Sequence, residues 1–183
     1  MILGFKLMFP WGEPTYFMEK IWASVGRRDL GMMNSKTGKT IPYLYYPSEG
    51  NPEGVKMWTP KLHTIRAGNR WKAGMNMQMA YGVRSKNYEQ FNKGIEELRQ
   101  VVSVQDIEVR WWQIHTKNYG SPGFTTTQIP QVRFGGYKDW YPGYCTQVED
   151  MAQNDGFDNI DDFWRWFSKG FKGQIIHWSD LKY

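Results

Sequence analysis

Residues 61–66 read Lys61-Leu62-His63-Thr64-Ile65-Arg66, and beyond a Gly68-Asn69 turn residues 70–74 read Arg70-Trp71-Lys72-Ala73-Gly74. Leu62 to Arg66 is a short extended segment. The second run leads into Met75, Met77, Met79 and Tyr81, a period-2 stripe that fits a half-buried strand. Lys61, Arg66, Arg70 and Lys72, one tryptophan and one hydroxyl side chain thus fall in a single stretch of chain. Guanidinium groups grip phosphates or base edges, and an indole stacks on a base. The same residues also suit an ordinary strand and turn with solvated cations.

Toward the N-terminus, Ile2 to Phe9 reads as a first strand, broken by Pro10 and Pro14. Thr15 is placed to cap a helix, with Met18, Ile21, Trp22 and Val25 at the spacing of one buried face and Gly26 at its end. Residues 27–60 hold Gly31, Gly38, Gly50 and Gly54 with Pro42, Pro47, Pro52 and Pro60, and only Ile41 to Tyr46 looks extended. This stretch is expected to be a loop insertion.

Toward the C-terminus, residues 83–94 are polar and loop-like, and Glu97 to Ile114 holds another extended stretch. Val102 and Val104 share one parity, whereas Ile107, Val109 and Trp111 share the other, which predicts a β-bulge near Gln105 or Asp106. Residues 117–127 read as a Gly/Ser/Thr loop, and Ile129 to Tyr137 as a strand weakened by Pro130. Val148 to Asn154 predicts a helix stopped by Gly156. Asp158 would cap a second helix with Ile160, Phe163, Trp164, Phe167 and Phe171 on its buried face, closed by Gly170. Gln174 to Trp178 is a final strand. Mixed strands and helices without a repeat or linker predict one α+β domain over 1–183.

The bulk properties agree. A chain of 183 residues with 40% hydrophobic and 22% charged residues is long enough for a core of its own. Aromatic residues reach 17%, to be shared between the core and any stacking surface. The net charge of +5 is uneven: residues 1–100 hold 15 Lys and Arg against 8 Asp and Glu, residues 101–183 hold 8 against 10. A basic first half suits a polyanion. The single cysteine, Cys145, excludes an internal disulfide and fits a reducing compartment. The apolar run Met1 to Phe9 is interrupted by Lys6 and is too short to span a bilayer, so a cytoplasmic protein without a membrane partner is expected.

Several chemistries lack their residues. Gly38-Lys39-Thr40 is no phosphate loop, because Met33 stands where the motif needs glycine. His63, His115 and His177 are not spaced as metal ligands with one another or with Cys145, so no metal and no cofactor is expected. No Gly-x-Ser-x-Gly elbow is present.

The Lys61-x-x-Thr64-x-Arg66 pattern, followed by Arg70 to Gly74 and a strand, resembles the signature of the ASCH family within the PUA-like superfamily. A second stretch, residues 152–163 (AQNDGFDNIDDF), is similar to the family's acidic element in a helix-turn-helix pattern. The resemblance covers about residues 58–183 and, more loosely, 2–25. It implies a PUA-like β-pseudo-barrel with flanking helices. Its cleft would take RNA, another nucleic acid or a modified nucleobase, contacted by Arg66, Arg70, Trp71 and Lys72. Some members are amidohydrolases that remove an acyl group from the exocyclic amine of cytidine. Carried over by motif, Lys61 is the base, Thr64 the nucleophile and Asp155 the proton carrier. A bacterial or phage origin would suit such a free-standing domain. Three functions follow as expectations: a nucleic-acid or nucleobase binder, an amidohydrolase, or a structural protein using its aromatic surface to hold a partner.

Overall fold

The computed structural model describes residues 1–25, 32, 33, 40, 41, 59–117 and 123–183. Among the described residues, three α-helices and two main sheets make an α+β fold. The small sheet pairs β1 (Ile2–Phe5) in parallel with β5 (Gln78–Tyr81), which pairs antiparallel with β6 (Glu89–Gln90). The large sheet is antiparallel and has the order β4 (His63–Ala67), β10 (Phe171–His177), β7 (Ser103–Lys117), β8 (Phe124–Phe134) and β9 (Tyr141–Pro142). The sheets remain open, and among the described residues no closed barrel forms. Of the expected insertion at 27–60, a two-residue ladder of β2 (Met32–Met33) with β3 (Thr40–Ile41) and residues 59–60 are described. The rest, with Gly26 and all but Ile41 of the stretch Ile41 to Tyr46 expected to be extended, lies outside the described residues.

The three helices are α1 (Phe17–Ser24), α2 (Thr146–Asn154) and α3 (Ile160–Trp166). On α1, Phe17 to Trp22 are all buried, polar Glu19 and Lys20 included. Its Trp22 meets Phe91 beside the small sheet, with ring centroids 6.2 Å apart, and its Phe17 meets Phe157 beyond α2 at 6.0 Å. Helix α3 lies against β7, where Trp111 and Trp164 approach to 6.0 Å and the Trp111 indole donates to the Phe167 carbonyl. The core is one cluster reaching from Leu3 to Trp178. Together with the partly buried rings packed against it, the cluster takes up most of the rings, which answers the high aromatic content.

Several local expectations are corrected. Strand β7 pairs without interruption with both β10 and β8, so there is no bulge at Gln105 or Asp106. Ile107 and Val109 face the core, whereas Val102, just before the strand, is exposed. Thr-rich residues 124–127 form the start of β8, in keeping with the strand preference of β-branched side chains. Pro130 is tolerated inside β8. Its carbonyl accepts from the Gly143 N–H, so its nitrogen points the same way, away from the ladder with β7. Phe171 belongs to β10 rather than to α3.

The cap of α3 is Asn159 and not Asp158. The Asn159 side chain accepts from the Asp162 N–H at 2.8 Å, while Asp158 is drawn into an ion pair with Lys20. Asn159→Ala is expected to cost about 1 kcal/mol, read as a fall of roughly 2–4 °C in the thermal midpoint. No helix among the described residues is long and apolar enough to cross a membrane.

Candidate functional site

Strand β4 is an edge of the large sheet, so its outward N–H groups need partners other than a strand. The C-terminal end of α2 supplies them. The Leu62 N–H donates to the Asn154 carbonyl at 2.8 Å, and the Ile65 N–H donates to Asp155 Oδ1 at 3.2 Å. This docking brings Asp155 to Lys61, 94 positions earlier in the chain. Lys61 Nζ donates to Asp155 Oδ1 at 2.6 Å and also to the Asp155 carbonyl. The ammonium thus serves the carboxylate and the helix end together, where a cation complements the helix dipole.

Gly156 makes the approach possible. It terminates α2 at φ +89°, and a Cβ there would lie 3.1 Å from both the Lys61 side chain and the Phe17 ring. The Lys61 ammonium sits over that ring, 4.5 Å from its centroid. Next to it, Lys20 Nζ donates to the Gly156 carbonyl at 2.8 Å and to Asp158 Oδ1 at 2.7 Å. The Lys61 N–H donates in turn to the Lys20 carbonyl.

Lys61, Thr64 and Asp155 are 1%, 1% and 5% exposed. Burial pulls the Lys61 ammonium down to about 8. Asp155 opposes that shift, and the positive charges of Arg66 and Lys20 add to it. Burial raises the Asp155 carboxyl above its usual range, against the pull of Lys61 and Arg66. Two groups of opposite charge therefore share one hydrogen bond with their proton affinities drawn toward each other, the condition for moving a proton between them.

Thr64 is joined to Ile65 by the peptide whose N–H binds Asp155, and it shares its strand face with Arg66. Among the described residues its hydroxyl makes no hydrogen bond. Arg66 is turned inward. Its guanidinium donates to the Gly4 and Ile65 carbonyls at 2.7 and 3.0 Å and lies over the Phe5 ring.

The structure therefore unites Lys61, Asp155 and Arg66, flanked by Thr64. The other residues expected at a ligand do not join them. Trp71 is buried in the core at 2% exposure, and its backbone N–H donates to Gln174 Oε1, so its ring offers no face to a base. Arg70 and Lys72 are exposed on the turn after β4 and make no ion pair among the described residues. Sequence reasoning missed Lys20, Asp158 and Phe17. Lys20 sits in a helix read only for its apolar stripe, and Asp158 was read as a cap.

A second buried polar group lies along the same strands. His63, His177 and Ser103 are register partners across β4, β10 and β7. His63 and His177 are fully buried with ring centroids 5.2 Å apart, and His63 Nδ1 lies 3.3 Å from the Tyr183 hydroxyl. Among the described residues, His63 Nε2, both ring nitrogens of His177 and Ser103 Oγ have no hydrogen-bond partner. Among the described residues no group of three or more His, Cys, Asp or Glu side chains is placed to hold a metal ion. Comparison of the chain with known protein families, with curated proteins and with solved structures finds no match.

Proposed function

We propose that the protein is an ASCH-type, PUA-like domain that hydrolyses the amide of an acylated nucleobase, most concretely an acyl group on the exocyclic amine of cytidine. The observation that carries this reading is the buried 2.6 Å contact between Lys61 Nζ and the Asp155 carboxylate, which also accepts from the backbone N–H of Ile65, the residue after Thr64. The family's amidohydrolases carry glutamate at the acidic position. Here the shorter aspartate still reaches the lysine, because the end of α2 docks directly on β4.

The chemistry follows from the proton affinities. A threonine hydroxyl is a weak nucleophile and needs an adjacent base. With its pKa at about 8, Lys61 is neutral in about a tenth of molecules at pH 7. Neutral Lys61 accepts the Thr64 proton as Oγ attacks the acyl carbon. When the C–N bond breaks, the proton passes through the Lys61–Asp155 pair to the leaving amine. Water then cleaves the acyl-threonine ester. Positioned proton transfer of this kind contributes about 10²–10⁴-fold.

Deacetylation of acetylcytidine tests the reading. Turnover is expected to rise with pH through about 8, as Lys61 loses its proton. It is expected to vanish in Thr64→Ala and Lys61→Ala. Turnover that survives Thr64→Ala overturns the nucleophile. A second reading, in which the domain holds RNA, another nucleic acid or a modified nucleobase without chemistry, is favoured by the exposed cations Arg70 and Lys72. It expects saturable binding of acetylcytidine or an RNA strand with no product formed.

A further inference from the structure

We propose that Lys20 is a positioning residue for the Lys61–Asp155 site: its buried ammonium clamps the end of α2 on β4 and sets a second positive charge beside Lys61. The inference rests on the amidohydrolase reading and gives a role to a residue outside the Lys61-x-x-Thr64-x-Arg66 motif. Helix α1 brings this charge inward. Phe17 and Lys20 are three residues apart and lie on one helix face. Phe17 supplies the ring over which the Lys61 ammonium sits, so the same face delivers Lys20 to the same place. Lys20 is 1% exposed.

Lys20 Nζ donates to the Gly156 carbonyl at 2.8 Å, and Lys61 Nζ donates to the carbonyl of Asp155, one residue earlier. Two ammonium groups from separate elements thus take consecutive carbonyls at the end of α2. The backbone ties them as well, since the Lys61 N–H donates to the Lys20 carbonyl at 2.9 Å. Closing a helix end does not by itself call for this arrangement. Terminal carbonyls are satisfied equally well by water. An ammonium withdrawn from water and set beside another one is disfavoured twice, by desolvation and by repulsion.

The repulsion serves the chemistry. Lys20 has its counter-charge in Asp158, 2.7 Å away and 65% exposed, whereas Lys61 has buried Asp155. Burial lowers Lys61 to about 8, and Arg66 and Lys20 push it the same way against Asp155. The neutral lysine that results is the form able to take the Thr64 proton. The charged groups acting on Lys61 are thus Asp155 at the end of α2, Arg66 on β4 and Lys20 on α1. Glu19, next to Lys20, is also buried; burial raises its carboxyl and Lys20 lowers it. The His63 ring on β4 feels the Lys61 charge in turn.

The experiment follows the Lys61 side chain by NMR in protein carrying isotope-labelled lysine, with its signal identified as the one missing from Lys61→Met. Deacetylation of acetylcytidine is measured over the same pH range. Lys20→Met keeps the stem of the side chain and removes the charge. It is expected to raise the titration midpoint of Lys61 by about 0.5–1 pH unit, which cuts the neutral fraction at pH 7 about three- to tenfold. Asp158→Asn removes the counter-charge and is expected to lower the midpoint, by less, because solvent screens that carboxylate. Lys20→Arg keeps the charge and should return the midpoint toward that of the parent. The rising limb of turnover against pH should move with each midpoint. A residue that only holds the fold would lower the melting temperature in Lys20→Met and leave the Lys61 midpoint in place, and that result overturns the proposal. Asp158 lies at the surface, so Asp158→Asn decides the matter if Lys20→Met does not fold: a fixed midpoint there overturns the proposal too. Midpoints that move in a protein without turnover overturn the amidohydrolase reading and leave the coupling of Lys20 to Lys61 standing.

Discussion

Asp155→Ala is expected to lower the unfolding free energy by about 3–5 kcal/mol, the cost of leaving one member of a buried ion pair without the other. The side chain of Asp155 holds two donors, Lys61 Nζ and the Ile65 N–H. Its removal leaves a buried ammonium with a single carbonyl and an edge N–H with nothing. Lys61 answers by losing its proton, since burial already lowers its affinity and Asp155 was the group opposing that shift. The penalty should therefore shrink as the pH rises. Lys61→Met combined with Asp155→Asn is expected to recover most of the loss, because the amide oxygen still accepts from Ile65 and no charge remains in the interior. Urea melts of Lys61→Met, of Asp155→Asn and of their combination make the cycle. Costs that simply add would mean that the two side chains do not act as a pair.

Acid is expected to unfold the protein through His177 and His63. Burial holds His177 down at about 4, with the charge of Lys182 adding to the effect, and holds His63 well below its usual range, with His177 and Lys61 adding. Both rings are neutral in the fold, whereas the unfolded chain takes up protons near pH 6.5. Between those values the unfolded state binds more protons, so stability falls as the pH falls. The loss is about 1.4 kcal/mol per pH unit for each ring, and about 3 kcal/mol for His177 by pH 4. His177→Leu should remove that ring's share and flatten the curve of stability against pH between about 6.5 and 4. Replacing the ring also discards two buried nitrogens that have no hydrogen-bond partner among the described residues. A variant whose acid midpoint matches the parent would show that His177 does not set the transition.

The elements with a strong local period were legible in the sequence. The α+β class, the helix stopped by Gly156, the Met77–Met79–Tyr81 stripe and the closing strand all follow from side-chain spacing, because a helix or strand must bury one face. The motif Lys61-x-x-Thr64-x-Arg66 with Asp155 marked positions that the fold brings together. Other features were hidden for identifiable reasons. The bulge near Gln105 was inferred from the parity of Val102 and Val104, but Val102 lies exposed just before the strand and Val104 packs only partly buried against the core. The Thr-rich start of β8 was read as a loop, because pairing with β7 outweighs what composition signals locally. Trp71 looked like a stacking ring, since an indole suits a core and a binding face equally well.

By itself the sequence determined which segments are helix or strand, where they stop, and which residue types are available for chemistry. These depend on neighbours a few positions away. The tertiary structure alone decided that Lys61 meets Asp155 from 94 positions off, that Lys20 takes Asp158 from its helix, and that Arg66 turns inward to Gly4 while Trp71 is closed into the core. The physical reason is that the proton affinity and reach of a charged side chain are set by burial and by opposite charge within a few ångströms, and both exist only once distant segments have packed.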